Sequence, residues 1–431
     1  MGCSDLPAEA IGSGAASSSG SDSSTAASPP TTEPSDSALD DTTTSDSGAA
    51  STTPGPATDS SSSTGPNEDS SSGDTGPRPT EACNDGIVTS GELCHVLGPA
   101  IAVSPAPDSV ATGDLDQDGA TDVVLGSEDV PELQVLWGVG NGNLVAPQLL
   151  HTAEATVHDL VVEDFSNDGW PDLVFTDSAG SRLVSYANDG TGGLFFAGNY
   201  PTDLAPIHIT VGNIDGDGIP DVIASANVAA TVLHGNGLAG FIVEQALVLT
   251  NGNNWLSLQD LDLDLQRDLI AVNQSGNDVS TFANIGGMFD VATDHSTSAG
   301  PIEITAGDVD QDGFLDIALL HTNPPTVGLL RGDGSGGFMS EETTSVGPSP
   351  VDIELTDLDG DGILDLAVLH GSGDQLALYR GQGNGMFAMG PGFALEAPSS
   401  MHVTELNGDG VPDLLILRNA DSVVQVLLSD P

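Results

Sequence analysis

The chain has 431 residues, of which 64 are Asp or Glu and only six are basic, for a formal net charge of -58. All six bases are arginine (Arg78, Arg182, Arg267, Arg331, Arg380, Arg418). Such a surface repels nucleic acid and anionic lipid, and without lysine there is no ammonium group for Schiff-base chemistry or for a phosphate-cradling P-loop. No apolar run in the sequence approaches the ~18–20 residues that span a bilayer as a helix.

Residues 4 to about 80 are almost entirely Ser, Thr, Gly, Pro, Ala and acid. They have too little apolar surface to offset the entropy of ordering, so residues 1–80 are expected to form a disordered, extended tether. It holds 12 of the 64 acids, which leaves most of the negative charge to the rest of the chain. Cys3 follows Gly2, an order similar to that at the lipid-accepting cysteine of bacterial lipoproteins. The resemblance implies a lipid anchor at Cys3, the one membrane attachment expected. N-myristoylation fits poorly, because Leu6 stands where Ser or Thr is wanted.

Residues 81–96 form a short segment in which Cys83 and Cys94 bracket Asn-Asp-Gly-Ile-Val-Thr-Ser-Gly-Glu-Leu. Its two turn-forming stretches can bring the sulfurs within bonding range, and a disulfide between Cys83 and Cys94 is expected. The segment resembles a short cysteine-rich repeat of bacterial secreted and surface proteins, which implies an oxidising, extracytoplasmic location at the cell surface or outside it.

From residue 97 a loop of the form Asp-x-Asp-x-Asp-Gly-x-x-Asp recurs seven times. It begins at Asp114, Asp164, Asn213, Asp260, Asp308, Asp357 and Glu405, at steps of 50, 49, 47, 48, 49 and 48 residues. Four and two residues before each loop stand mostly apolar pairs such as Leu160/Val162 and Ile353/Leu355, the period-2 mark of a strand. A near-continuous apolar run such as Leu173-Val174-Phe175 or Leu414-Leu415-Ile416-Leu417 follows the last Asp and reads as a strand buried on both faces. A third strand follows (Leu133–Trp137, Val327–Arg331, Leu376–Arg380), then a glycine-rich hairpin closed by Phe241, Phe338 or Phe387, which starts a fourth. Four strands per ~48 residues make one blade, so residues 97–431 are expected to fold as an all-β, seven-bladed β-propeller. Repeat seven stops after its third strand, Val423–Leu428, and residues 97–103 occupy the place of a fourth strand. The N-terminal strand is therefore expected to complete the last blade and close the ring.

This region resembles the FG-GAP repeat propeller of integrin alpha subunits and its bacterial secreted relatives. The resemblance implies calcium in the hairpin between the first and second strands.

The residues argue for the same ion. Calcium takes six to eight oxygens in flexible geometry, which suits carboxylates at loop positions 1, 3, 5 and 9, a carbonyl at 7 and a glycine at 6. Loops one, five and six carry all four acids: Asp114/Asp116/Asp118/Asp122, Asp308/Asp310/Asp312/Asp316 and Asp357/Asp359/Asp361/Asp365. Loop two (Asp164/Ser166/Asp168/Asp172), loop three (Asn213/Asp215/Asp217/Asp221) and loop seven (Glu405/Asn407/Asp409/Asp413) offer oxygen at lower charge and are expected to bind more weakly. Loop four (Asp260/Asp262/Asp264/Asp268) has Leu265 in place of glycine and Arg267 beside its last acid, and is expected to be neutralised by the arginine.

Propellers bind ligands where loops converge on the axis. On the face opposite the acidic hairpins, the residues five or six before each loop include His158, Asp159, His208, Trp255, Glu303 and Asp352. A polar set with one indole suits a sugar or a peptide. His151, His234, His321 and His370 share no spacing and read as surface or satisfied core residues. No Gly-x-Ser-x-Gly or paired nucleophile and base is evident, and the arginines are too scattered for a uronate-neutralising lyase site. The expected function is a non-catalytic, extracellular binding or adhesion module, monomeric, with calcium as its ion and an unidentified protein or glycan as its ligand. A propeller-type polysaccharide lyase or other secreted carbohydrate-active enzyme is the alternative.

Overall fold

The computed structural model describes residues 93–429 apart from Pro105, Ala146, Ala153, Glu154, Asp203, residues 250–254 and Asp374. By its contacts the chain divides into residues 1–75 and 76–431, and every described residue belongs to the second unit. The expected tether, the Cys3 anchor and Cys83 with its disulfide lie outside the described residues.

Seven four-stranded antiparallel sheets form the described unit, six of them in simple chain order. Blade one is Ser109–Gly113, Asp122–Gly126, Glu132–Leu136 and Gln148–His151, and the next five repeat that plan. In the seventh, Ser400–Thr404, Asp413–Arg418 and Val423–Ser429 are completed by the N-terminal strand His95–Ala102, with Ile101 paired to Val424 and Val96 to Leu428. The ring thus closes by joining the two ends of the described chain, which leaves no sheet missing an edge strand.

Burial follows the sequence pattern. The second strands Asp172–Asp177, Asp221–Ala226, Asp268–Asn273 and Asp365–His370 are buried at every residue, as expected of strands covered on both faces. Apolar side chains gather into seven cores, each shared by two neighbouring blades. The closing core packs Leu415 and Val426 of blade seven against Val123 and Leu125 of blade one. Residue 2 of every hairpin (Leu115, Phe165, Ile214, Leu261, Val309, Leu358, Leu406) is buried and so pins the acidic loop to the core.

One strand departs from expectation. Phe241 and Phe387 open outer strands, Phe241–Val248 and Phe387–Ala394, but Phe338 makes only an isolated bridge to Gly332 and the strand begins at Glu342. Between them Glu341 turns inward, its carboxylate 2.7 Å from Nε2 of the fully buried His321, a contact worth more than one further rung of ladder at an exposed edge.

Candidate functional site

Each inner strand ends in an acidic hairpin at one end and meets the others around the axis, so the same seven strands position two groups of carboxylates.

At the hairpins, the position-6 glycine adopts the left-handed φ the turn requires, +89° at Gly119 and +90° at Gly313. Leu265 of loop four takes φ 71° there with its side chain exposed, a strain of roughly 1–2 kcal/mol for a residue with a Cβ. The position-1 carboxylate accepts the amides of positions 5 and 6: in loop five, Asp308 accepts from Asp312 N (3.1 Å) and Gly313 N (2.9 Å). Position 9 differs from the plain metal ligand the spacing suggests. Asp122 accepts Leu115 N on one oxygen and Gly138 N on the other, both at 2.8 Å, and Asp365 does the same with Leu358 N (2.9 Å) and Gly381 N (2.7 Å). In all seven blades this residue bolts the start of the hairpin to the end of the third strand. Burial pushes Asp122 up to about 6 and Asp365 up to about 7.

Ligand atoms of Asp114/Asp116/Asp122, Asp260/Asp262/Asp264, Asp308/Asp310/Asp316 and Asp357/Asp359/Asp361 lie within 4.8 Å of one another, as do those of Asp215, Asp221 and His234. Such clusters are close enough for one cation to bridge. Among the described residues, loops two and seven bring no three acids so close, Ser166 and Asn407 having replaced the position-3 carboxylate. Buried oxygens of Asp114 (Oδ1) and Asp310 (Oδ1) have no hydrogen-bond partner. An orphaned anionic oxygen inside a carboxylate cluster fits a hard cation such as calcium.

Position 5 of each loop also braces its own turn. Asp118, Asp168, Asp217, Asp312 and Asp409 stand outside the clusters, and only Asp264 and Asp361 of this position join one. All seven cap their own turn by accepting the amide two residues on, Asp264 from Gln266 N and Asp361 from Ile363 N at 2.8 Å each. Asp118 accepts Ala120 N (2.9 Å), Asp168 accepts Trp170 N (2.9 Å) and Asp409 accepts Val411 N (2.8 Å); Asp217 and Asp312 do the same with Ile219 N (2.8 Å) and Phe314 N (2.9 Å). The second oxygen of Asp409 is also taken, by Ser429 Oγ at 2.9 Å. A short acidic side chain readily bonds its own backbone in this way.

The arginine expectation fails. Arg267 pairs with none of loop four's carboxylates among the described ion pairs; its charge acts on Glu163, at the end of blade two's inner strand. Arg380 of loop six instead reaches Asp359 Oδ2 (Nε, 3.0 Å) and Asp361 Oδ2 (Nη2, 2.8 Å), and Arg331 stands 3.4 Å from Asp310 Oδ2 in loop five. The cause is position. A residue just before the last Asp points to the neighbouring blade, whereas the residue fifteen after that Asp, at the end of the third strand, leans over its own loop.

At the axis, residues of all seven blades line one cavity of about 480 Å3. His158, Asp159, His208, Trp255, Glu303 and Asp352 all lie in its wall, joined by Glu128, Glu354 and His402. Trp255 is 36% exposed, its ring 3.9 Å from that of His208. Asp159 holds the turn into the strands by accepting Leu160 N (2.9 Å) and Ile209 N (3.0 Å), with His208 Nδ1 3.6 Å away. His158 pairs with Glu128.

Opposite stand three acids. Burial, then the nearby charge of Asp352, holds Glu303 well above the ordinary range. Asp352 is pushed up to about 6 by burial and accepts Met401 N at 2.6 Å. Burial with the Asp352 charge pushes Glu354 up to about 8. His402 is driven down to about 4 by burial and lies 3.1 Å from Thr112 Oγ1. At neutral pH Glu354 is therefore protonated and His402 neutral, in a wall that also holds an indole and no arginine. Glu354 and His402, absent from the sequence-derived set, were findable: they stand three residues before their loops, two along the strand from Asp352 and Ser400, hence on the same face.

The fold has relatives at low identity. BBS1N, solved in complex with ARL6DN, aligns over 78% of this chain and 97% of its own at 13% identity and a TM-score of 0.56. A lectin of Agrocybe aegerita, described by its recognition of non-reducing terminal N-acetylglucosamine, aligns over 80% and 88% at 16% identity and TM-score 0.50. A Lactobacillus plantarum protein aligns over 68% and 86% at 11% identity and TM-score 0.51. At these identities the likeness is one of fold. A search of curated proteins found no match. The family described as FG-GAP-like repeat matches residues 114–175, 164–224, 308–368 and 357–416. These stretches cover just over half of the chain and take in every acidic loop but the fourth, so the protein belongs to the FG-GAP-like repeat family.

Proposed function

We propose that the protein is an extracytoplasmic, calcium-stabilised propeller acting as a non-catalytic binding or adhesion module at the cell surface, with a glycan or protein ligand seated in the axial cavity. The observation that carries this reading is convergence: residues from all seven blades meet around one concave, mixed-polarity wall containing an exposed Trp255, the usual form of a ligand site. A sugar can stack on the indole while its hydroxyls meet Asp159, Glu303 and the histidines. The Agrocybe aegerita lectin makes a terminal N-acetylglucosamine a reasonable first probe. Calcium at the rim stiffens the hairpins that end the same strands. The tether of residues 1–80, Cys3 as lipid anchor and the Cys83–Cys94 disulfide complete the proposed surface location.

Glycan and protein arrays in millimolar calcium test the binding reading. Saturable hits that vanish with Trp255→Ala support it; hits unchanged by that substitution place the ligand elsewhere and overturn it. A second reading, a secreted carbohydrate-active enzyme, draws on Glu354, which burial raises to about 8 and so keeps protonated at neutral pH, because an acid kept neutral can serve as a proton donor. New unsaturated or reducing ends released from a polysaccharide, and lost with Glu354→Gln, would favour it over passive binding.

A further inference from the structure

Blade three breaks the pattern of the other hairpins. Loop three alone begins with an amide, Asn213, whose Oδ1 accepts Gly216 N (2.9 Å), and like loops two and seven it holds three carboxylates. At the end of the third strand, one residue before the amide that grips the last Asp, the other blades place Trp137, Ala187, Ala283, Arg331, Arg380 and Leu428; blade three places His234. The imidazole has a fixed orientation. Its Nε2 lies 3.0 Å from the carbonyl oxygen of Gly287, on the hairpin of blade four. A carbonyl only accepts, so Nε2 carries the hydrogen and donates it. That leaves Nδ1 facing inward, 3.5 Å from Asp215 Oδ2. Asp221 completes the group, one atom of each of the three residues lying within 4.8 Å of the others.

Two carboxylates and an imidazole nitrogen held from behind by a backbone carbonyl are a ligand set for a borderline metal. Calcium is hard and selects oxygen, whereas imidazole suits zinc and its neighbours. Around a tetrahedral zinc with bonds of ~2.0–2.1 Å, neighbouring ligand atoms stand ~3.3 Å apart, close to the Nδ1–Oδ2 separation found here. Asp221 is anchored through Oδ2 by Ile214 N (2.7 Å) and Asp215 N (3.3 Å) and through Oδ1 by Gly235 N (2.8 Å), which leaves Oδ1 a free lone pair. Asp215 Oδ1 accepts Asp217 N (3.0 Å), which leaves Oδ2 directed at the histidine. Gly287, at φ 94°, approaches so closely that a Cβ there would fall 2.8 Å from Asp215 Cβ, so the carbonyl that orients His234 is held by the fold. A carbonyl hydrogen-bonded to the far ring nitrogen is the usual second support of a metal-binding histidine.

We propose that Asp215, Asp221 and His234 form a binding site for a zinc-class divalent cation, distinct in chemistry from the all-oxygen hairpins of the other blades. Solvent supplies the fourth position, the group being partly open on the side of Asp215. The site stands independently of the axial ligand and of calcium elsewhere in the ring.

The test is a titration of the full chain with zinc alone, by calorimetry and by competition with a chromogenic chelator, in millimolar calcium. One zinc per chain that calcium does not displace, weakened about tenfold or more by His234→Ala and separately by Asp215→Asn, is the expected result. Cobalt in place of zinc should give a visible absorption band from a low-symmetry nitrogen and oxygen site in the unaltered chain, a readout that survives even if a variant fails to fold. Zinc that calcium competes away, equal zinc binding in both variants, or a cobalt spectrum identical to that of the hydrated ion would overturn the proposal. Calcium uptake by the other loops would be unaffected by that failure.

Discussion

Rim and axis of this ring are built by the same strands and crowded with the same residue type, yet the carboxylates do opposite things. At the hairpins the carboxylates are met by backbone amides, as with Asp308, Asp122 and, two residues on in its own turn, Asp118. Around the axis donors are few, and Glu303, Asp352 and Glu354 crowd against one another. Amide donors favour the ionised form and close confinement of like charges disfavours it. One set is thereby suited to hold cations and the other to hold protons. Asp122 and Asp365 sit between these extremes, ionisable groups raised by burial but gripped by two amides each.

The largest effect that separates the two regions is removal of calcium. Modules of this kind bind at ~10⁻⁴–10⁻³ M, so in 10 mM calcium each filled loop adds about 1.4–2.7 kcal/mol of stability by mass action. Over loops one, four and five the sum is several kcal/mol, and a chelator should lower the thermal midpoint by many degrees. An unchanged midpoint would mean that the hairpins hold no ion.

Next comes the brace. Asp122→Ala strands two buried amides, Leu115 N and Gly138 N, at about 1–3 kcal/mol each. Denaturant unfolding should show that loss with and without calcium; a loss confined to calcium-loaded protein would make Asp122 a ligand and not a brace.

The axis should reveal itself through pH. Between 4.5, the ordinary value, and about 8, folded Glu354 keeps a proton that the unfolded chain has released, so stability falls as pH rises across that window. His402, lowered from 6.5 to about 4, acts in the opposite sense and costs stability as pH falls through that range. From pH 6.5 to 8 only the Glu354 slope remains of this pair. Melts of calcium-free protein should lose midpoint over that interval, and Glu354→Gln should flatten the loss. A slope untouched by the substitution would remove Glu354 as its source.

Smallest is the effect of Arg380→Ala. A partly exposed ion pair contributes about 0–1 kcal/mol, so stability should hardly change. Calcium stoichiometry should nevertheless rise by one as Asp359 and Asp361 are freed; an unchanged count would mean the arginine does not block loop six.

Sequence spacing carried the architecture because each repeat states its own plan: an alternating strand, an acidic turn and an apolar run. It also located six residues of the axial wall, since a fixed offset from a repeated loop becomes a fixed place on a ring. What it misassigned depends on contacts the spacing does not record. Arg267 adjoins its loop in the chain and faces away, while Arg380 is fifteen residues past Asp365 and lies across it. The double amide grip on position 9 needs the third strand in place, and the hydrogen bond that orients His234 comes from Gly287 on the next blade.

A crystal grown in millimolar calcium, with anomalous density mapped over the whole ring, tests the central claim most directly. The account predicts calcium in the hairpins of loops one and five, where Asp114 and Asp310 each leave an oxygen unsatisfied, and none beside Glu303, Asp352 and Glu354. Calcium at the axis, or empty hairpins in loops one and five, would contradict it.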